Sequence, residues 1–206
     1  MANVAILGSG GFAKEVAELA RLNGHQVVSC YSVAAGAFET LHRGYLAEMQ
    51  RDRNQFEAVV LGIGATDRRS LSIRRGLVDW LLENRFACPA VVSPSAVCAE
   101  GVVLGPGVVV AHGAILGVDS RIDAFSVCNS GSMIGHDARV GSNVVVAPGA
   151  FLGGNVSVGQ NSLIGPLSKV LQGITLGEDT LVGVGCLALR DLSAGQTIWP
   201  RFDQAR

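Results

Sequence analysis

The chain has 206 residues, a formal net charge of −1, a mean hydropathy of +0.38 and only 16% charged residues. This balance argues against a nucleic-acid-binding protein, which usually carries a basic patch, and no apolar run reaches the roughly 20 residues of a membrane-spanning helix. The N-terminus enters a glycine loop without a basic segment, so a signal peptide is not expected and a cytoplasmic location is predicted.

The first ninety residues alternate between apolar runs and a helical pattern of apolar residues, which is typical of a βαβ unit. Gly24 follows the first helix as a C-terminal cap. The pattern predicts a strand at Asn3–Leu7, a helix at Lys14–Asn23, strands at Val27–Tyr31 and Ala58–Leu61, and a helix at Arg69–Glu83.

The first strand is followed by the glycine-rich turn Gly8-Ser9-Gly10-Gly11-Phe12-Ala13. Glycines before a helix N-terminus let a phosphate approach the backbone N–H groups. A dinucleotide site would also need an acid at the end of the second strand, but that strand ends Cys30-Tyr31-Ser32. The turn therefore favours a nucleoside diphosphate over NAD, and a turn needed only for packing is the alternative.

From Ala90 to Asp191 the sequence repeats every six residues for seventeen units without an insertion. This period predicts a parallel β-helix with three units in each coil and roughly five to six coils. A sandwich of short strands is the alternative, but it would not hold a strict six-residue phase. The repeat does not fix the handedness, and the crossover rule alone would favour a right-handed path. The apolar third column of each unit contains Val92, Cys98, Leu104, Val110, Leu116, Ile122, Cys128, Ile134, Val140, Val146, Leu152, Val158, Ile164, Val170, Leu176, Val182 and Ala188.

The other columns have their own physical roles. We expect the third column to point inward, the small first column to fill the corner, and the frequent glycine of the fourth column to turn the chain at positive φ. Five cysteines without a CxxC pair indicate buried thiols in a reducing compartment, with Cys98, Cys128 and Cys186 in inward columns.

Additional apolar residues are predicted to face outward. Val102–Val103 and Val108–Val109 would form apolar patches of the kind that mark subunit interfaces, and Leu171 and Leu189 replace the glycine of the fourth column. We therefore expect a homotrimer of three prisms around one axis.

Both halves together resemble the bacterial sugar acyltransferases of capsule, lipopolysaccharide and protein-glycosylation pathways. That group includes sialic acid O-acetyltransferases and nucleotide-linked 4-amino-sugar N-acetyltransferases. The resemblance is carried by Gly8-Ser9-Gly10-Gly11-Phe12-Ala13-Lys14, by Ile63-Gly64 with Arg69, and by Asn129, His136-Asp137 and Pro148-Gly149-Ala150. It implies a Rossmann-like nucleotide-sugar-binding domain at 1–89, a left-handed β-helix acyltransferase domain at 90–191 and a tail at 192–206.

The resemblance also implies a reaction and its residues. His136 would act as general base while a sugar amine or hydroxyl attacks the thioester of acetyl-CoA, Asn129 would position the acceptor, and Asp137 would hold the imidazole ring. The backbone N–H of Gly154 would stabilise the oxyanion. The CoA groove would be lined by Gly154, Gly165, Pro166, Gly183, Val184 and Gly185, and the nucleotide sugar by Gly8, Ser9, Gly10, Gly11, Lys14, Gly64 and Arg69. Neither a metal nor NAD is implied.

Several positions depart from the family pattern. Phe12 and Gly135 stand where the family commonly has His and Glu, Val145 stands where some members have a second His, and Ile198–Arg201 replaces the usual GxPA ending. N-acetylation is preferred, and sugar O-acetylation and a non-catalytic nucleotide-sugar-binding protein are the alternatives. A zinc enzyme on the same scaffold would need about three converging ligands, whereas the helix offers only His112 and His136.

Overall fold

The computed structural model describes residues 1–200, so residues 201–206 of the predicted tail lie outside the described part. The N-terminal unit contains a three-stranded parallel sheet in the order β2-β1-β3. Its sequence of elements is β1 (Asn3–Leu7), α1 (Gly11–Leu22), β2 (Gln26–Tyr31), a 3₁₀ turn at Gly36–Phe38, α2 (Leu46–Arg51), a 3₁₀ turn at Arg53–Gln55, β3 (Ala58–Leu61) and α3 (Arg68–Glu83).

The sequence pattern located β1 and β3 to the residue, and the other predicted elements differ from it by a few positions. Helix α1 begins at Gly11 rather than at Lys14, because Gly10 has extended backbone angles and caps the helix. Helix α2 was not predicted. It is only six residues long and depends on a local capping bond, in which the N–H of Tyr45 donates to Glu48 Oε2 over 2.9 Å.

The repeat region forms a left-handed parallel β-helix of about six turns. Each hexapeptide contributes a two-residue strand, and the strands align in three flat faces. Face 1 contains β4 (Val91–Val92), β7 (Val109–Val110), β10 (Val127–Cys128), β13 (Val145–Val146), β16 (Leu163–Ile164), β19 (Leu181–Val182) and β21 (Thr197–Ile198). Face 2 contains β5 (Val97–Cys98), β8 (Ile115–Leu116), β11 (Met133–Ile134), β14 (Phe151–Leu152), β17 (Lys169–Val170) and β20 (Leu187–Ala188). Face 3 contains β6 (Val103–Leu104), β9 (Arg121–Ile122), β12 (Arg139–Val140), β15 (Ser157–Val158) and β18 (Thr175–Leu176).

The third column fills the interior, as predicted, in all coils after the first. From Val110 to Ala188 every third-column side chain is at most 2% exposed. The first coil differs: Val92 and Leu104 are partly buried and Cys98 is exposed, so the prediction that Cys98 is buried was wrong. This coil is the first of the stack, and it has no preceding coil to cover its interior.

The fourth-column glycines have a different physical role from the predicted one. None of them has positive φ; the left-handed residues are in the sixth column, as at Asp137, Asn143 and Asn161. A Cβ added to Gly117 would instead lie 2.6 Å from the backbone nitrogen of His136 in the next coil, and a Cβ on Gly153 would lie 2.6 Å from that of Gln172. Glycine is required there because successive coils approach too closely for a side chain.

From Val91 to Leu181 the outward side chains of face 1 are buried, and they pack in one cluster with the chain's own N-terminal unit. Val109 and Val145 pack in one cluster with Val16 and Ala20 of α1. The prediction that Val108–Val109 forms an outward subunit patch was therefore wrong, because Val108 is in the β-helix core and Val109 is covered by α1.

Face 2 keeps an exposed apolar surface. Its outward positions include Val97, Ile115, Met133 and Leu187, which are 57%, 43%, 42% and 53% exposed. Face 3 is more polar, with Arg121, Arg139, Ser157 and Thr175 at the equivalent positions. Leu171 and Leu189, at the edge between faces 2 and 3, are also exposed. Face 2 is thus an apolar face of the β-helix that no other segment of residues 1–200 covers.

A polar contact connects α3 to the last coils. The guanidinium of Arg68 donates to the carbonyl oxygens of Asp179 and Gly195 over 2.8 and 2.7 Å. Arginine suits this position because its planar fork satisfies several carbonyls at once. Within residues 1–200, no helix has the length and apolar content needed to cross a membrane.

Candidate functional site

A cleft of about 1010 Å³ separates the N-terminal unit from face 1 of the β-helix. Its N-terminal wall contains the glycine turn and the segment from Gly62 to Thr66. The opposite wall contains outward valines and leucines of face 1 together with the edge between faces 1 and 2, where Asn129 and Pro148 lie. The cleft is mostly apolar with a few polar groups, which is typical of ligand sites.

The glycine turn presents backbone rather than side chains to this cleft. Gly8 has φ of +136°, and a Cβ there would lie 2.5 Å from the carbonyl oxygen of Gly62. Gly10 and Gly11 have open space where a Cβ would be, and α1 begins at this point without a side-chain cap. The first N–H groups of α1 and its dipole can therefore bind an anion such as a diphosphate.

The structure brings most of the predicted binding residues into one lining. The lining contains Gly8, Ser9, Gly10, Gly11, Gly64, Asn129, Gly165, Pro166, Gly183 and Val184. Lys14 and Arg69 are exposed on α1 and α3 and are not among the lining residues, and neither is Gly185. The only ionisable carboxylate in the lining is Glu15, and no Lys or Arg of the described residues lines it.

His136 and Asp137 form a pair at the edge between faces 2 and 3. His136 Nδ1 lies 2.7 Å from Asp137 Oδ2, and both side chains are about half exposed. Because an ionised carboxylate only accepts hydrogen bonds, the neutral ring makes this contact in the tautomer that has the proton on Nδ1 and the lone pair on Nε2. Asp137 has φ of +57°, the left-handed conformation that recurs in the sixth column.

Gly154 lies beneath the imidazole in the next coil. A Cβ added to Gly154 would clash with the Nε2 edge of the His136 ring. A side chain at position 154 would therefore displace the ring, and glycine leaves its Nε2 edge uncovered. This arrangement provides a base with a free lone pair, an orienting carboxylate and an adjacent stretch of glycine backbone.

The predicted catalytic residues do not meet within one chain. Asn129 follows a strand of face 1 and lines the cleft, whereas His136 follows the next strand, on face 2, and is not among the lining residues. The two side chains are therefore on different edges of the prism, with the exposed apolar face 2 between them.

His112 is in the same column as His136 but on another edge. Its Nδ1 lies 2.7 Å from Ser93 Oγ, and its Nε2 lies 3.7 Å from Glu18 Oε2 of α1. The Glu18 contact connects the β-helix to the N-terminal unit, whereas the Ser93 contact lies within the β-helix. Within residues 1–200, no group of three or more His, Cys, Asp or Glu side chains is arranged to hold a metal ion.

Sequence reasoning did not assign some of the lining. Ser32, Val33 and Tyr45 form a side wall of the cleft, and Trp199 lies at the end nearest the C-terminus. For Trp199 the sequence offered one sign, which is that the segment containing it replaces the usual GxPA ending. No equivalent signal marked the side wall, because loop residues between β2 and α2 follow no period.

No protein-family model matches the chain, and no curated protein matches it in sequence. Solved structures do match. PerB from Caulobacter crescentus, solved with CoA and GDP-perosamine, is 31% identical, with a TM-score of 0.85 over 95% of this chain and 92% of that chain. Two further structures of that N-acetyltransferase have a histidine replaced by Asn or Ala.

Two other matches share the whole architecture. The acetyltransferase domain of PglB from Neisseria gonorrhoeae, solved with acetyl coenzyme A, is 25% identical, with a TM-score of 0.83 over 95% of this chain and 94% of that chain. WeeI from Acinetobacter baumannii is 22% identical, with a TM-score of 0.82 over 94% of both chains, which shows a shared fold.

Proposed function

The chain belongs to the hexapeptide-repeat sugar acyltransferase family, and we propose that it transfers the acetyl group of acetyl-CoA to the amino group of a nucleotide-linked amino sugar. The observation that carries this proposal is the whole-chain likeness to PerB, whose structure contains both CoA and GDP-perosamine. The cleft supports it, because a glycine turn suited to a diphosphate faces a β-helix edge of small residues.

The nucleotide sugar is assigned to the N-terminal side of the cleft. Its diphosphate would rest on the N–H groups at the start of α1, beside Gly10 and Gly11, which have open space above them. Ser32, Val33 and Tyr45 would flank the nucleoside. In this proposal residues 1–89 act as a Rossmann-like nucleotide-sugar domain and residues 90–191 as the acyltransferase domain.

Acetyl-CoA is assigned to the edge between faces 1 and 2. Gly165, Pro166, Gly183 and Val184 line the cleft along that edge, with Gly185 beside them. Their small side chains would let the extended pantetheine arm lie against the backbone, and carbonyl and N–H groups there would bind its amides.

In the proposed reaction the sugar amine attacks the thioester carbonyl carbon while His136 Nε2 removes a proton from the attacking nitrogen. The tetrahedral oxyanion forms beside the N–H of Gly154. Its collapse breaks the C–S bond, and the departing thiolate of CoA takes the proton from the imidazolium. Asp137 holds the ring in the tautomer that this step needs and stabilises its positive form.

The active site is proposed to form between subunits of a homotrimer. Within one chain the cleft contains Asn129 but not His136, and the apolar face 2 lies between them. Packing face 2 around a threefold axis would bury that surface and bring the His136 edge of one subunit to the cleft edge of its neighbour. Each site would then use the cleft of one subunit and the His136–Asp137 pair of another.

The direct test is an acetyl-transfer assay with acetyl-CoA and a panel of GDP-, UDP- and dTDP-linked 4-amino sugars, with mass analysis of the product. Replacing His136 by Ala should lower kcat by about 10²–10⁴. His112→Ala is the matched control, because His112 is in the same column of the repeat but does not line the cleft, and it should keep activity. Acetyl-CoA binding without transfer to any acceptor would contradict the proposal and favour a non-catalytic binding protein.

A further inference from the structure

The edge between faces 1 and 2 forms a track that ends at an aromatic side chain. Along face 1 the fourth-column positions are Asn129, Ala147, Gly165 and Gly183 in successive coils, followed by Trp199, and all of them line the cleft. Coils in a β-helix are separated by the strand spacing of about 4.8 Å. Four steps therefore place Trp199 about 19 Å along the axis from Asn129.

Trp199 is both supported and open to the cleft. A Cβ added to Gly183 would lie 2.5 Å from Cε3 and 3.0 Å from Cζ3 of its indole. One part of the ring thus rests on the backbone of Gly183, yet Trp199 remains 63% exposed. The other tryptophan, Trp80, stacks on Phe86 with ring centroids 5.4 Å apart. An aromatic ring that is held in place inside a concave site and keeps a free surface is suited to stack on a planar ligand group.

We propose that Trp199 is the platform on which the adenine ring of CoA stacks. This inference rests on the proposed use of acetyl-CoA as donor. CoA carries its thioester at one end and adenine at the other, so a thioester beside the Asn129 coil directs the nucleotide end along the track towards Trp199. The intervening Ala147, Gly165 and Gly183 leave room for the arm between these two ends.

The nucleobase of the nucleotide sugar is the competing planar group. A separate wall for that base is available in the N-terminal unit, where Ser32, Val33 and Tyr45 line the cleft near the glycine turn. Trp199 belongs to the β-helix and continues the fourth column of the CoA edge. The position of the ring therefore favours adenine.

The test uses the intrinsic fluorescence of Trp199. The chain has two tryptophans, so a Trp80→Phe background reports on Trp199 alone. Titration with CoA should quench this fluorescence, whereas 4′-phosphopantetheine, which lacks the adenosine, should quench it little. In binding assays Trp199→Ala should weaken CoA binding by about tenfold and leave the affinity for 4′-phosphopantetheine unchanged, and Trp199→Phe should retain most of the affinity.

Each outcome of these experiments either supports or overturns the stacking of adenine on Trp199. Equal CoA affinity for the Ala variant and its parent would overturn it. Quenching by a GDP- or UDP-sugar but not by CoA would also overturn it, because the platform would then serve the nucleobase of the acceptor. If the parent protein binds no CoA at all, the proposed donor fails as well. CoA binding by the parent that does not depend on Trp199 defeats only the stacking role.

Discussion

The guanidinium of Arg74 in α3 donates a hydrogen bond to the side-chain oxygen of Asn143 in the β-helix. Its Nε donates to the carbonyl oxygen of Ile63 in the cleft wall over 2.7 Å. The Arg74 side chain is fully buried, neither acceptor is a carboxylate, and burial lowers its pKa to about 10. A buried cation thus connects the wall of the cleft to the β-helix, and its acceptors matter more than those of a surface arginine.

Replacing Asn143 by Ala should destabilise the fold more than replacing Asn161 by Ala. The two residues have the same left-handed backbone, with φ of +55° and +56°, and they share a hydrogen bond of 3.0 Å. Only Asn143 accepts from Arg74. The free energy of unfolding should therefore fall by about 1.5–3 kcal/mol more for Asn143→Ala, measured by urea denaturation. Equal losses would show that the Arg74 contact contributes little.

The two classes of glycine in the repeat should respond differently to alanine. Gly159 is in the fourth column, and a Cβ there would clash with the backbone of Glu178 and Gly177. Gly173 is in the sixth column with φ of +75° and open space around it. Gly159→Ala should cost about 3 kcal/mol through overpacking, and Gly173→Ala about 1 kcal/mol through backbone strain. Thermal denaturation of both variants shows which substitution lowers the stability more. A larger loss of stability for Gly173→Ala would contradict the explanation that successive coils approach too closely at Gly159.

Asp137→Asn should lower kcat about tenfold with a small change in KM, because it removes the charge that orients and stabilises the His136 ring. It should also alter the pH profile of kcat. The matched control is Asp119→Asn, one coil earlier in the same column, with φ of +58° against +57°. That variant should keep both kcat and the pH profile. An unchanged rate for Asp137→Asn would remove this residue from the mechanism.

One cysteine should react rapidly with a thiol reagent in the folded protein. Burial raises the pKa of all five thiols, to about 12 for Cys128 and Cys88 and to about 11 for Cys30, so access to the reagent is what separates them. Cys30, Cys128 and Cys186 are buried and Cys88 is partly buried. Cys98 is exposed at the open first coil. Cys98→Ser should abolish the fast phase of a DTNB reaction, and a fast phase that remains would contradict this assignment, because another thiol would then be accessible.

The six-residue period determined more of the fold than of the site. It identified the inward column, since apolar side chains recur only where they stack. It did not distinguish a glycine needed for positive φ from one needed for clearance, as at Gly153, because both recur with the same spacing. It likewise showed that Val109 points outward without showing that α1 covers it. Pairing an outward residue with its partner requires long-range contacts that no local pattern contains.

The placement of His136 relative to Asn129 shows the same limit for the site. The two residues are seven positions apart, and each hexapeptide turns the chain by one third of a coil, so they lie on different edges. The sequence motif groups them as one site, whereas the structure of one chain separates them. In the proposed homotrimer, a neighbouring subunit would bring the His136 edge to the cleft that contains Asn129.

The most direct test of this account is a mixed-subunit assay. His136→Ala removes the base, and Gly10→Glu places a negative charge where the diphosphate is proposed to bind, at a position with open space for a side chain. Each variant alone should be inactive. Co-expressed and purified through two different tags, they should form mixed trimers in which a cleft with Gly10 faces an intact His136 of a neighbour.

Purification through both tags leaves only mixed trimers, and in each of them one of the three sites, which is about a third, combines the two intact parts. The mixed protein should recover about this fraction of wild-type acetyl transfer. Two inactive variants that stay inactive in verified mixed trimers would contradict it, because the cleft and His136 would then have to act within one subunit.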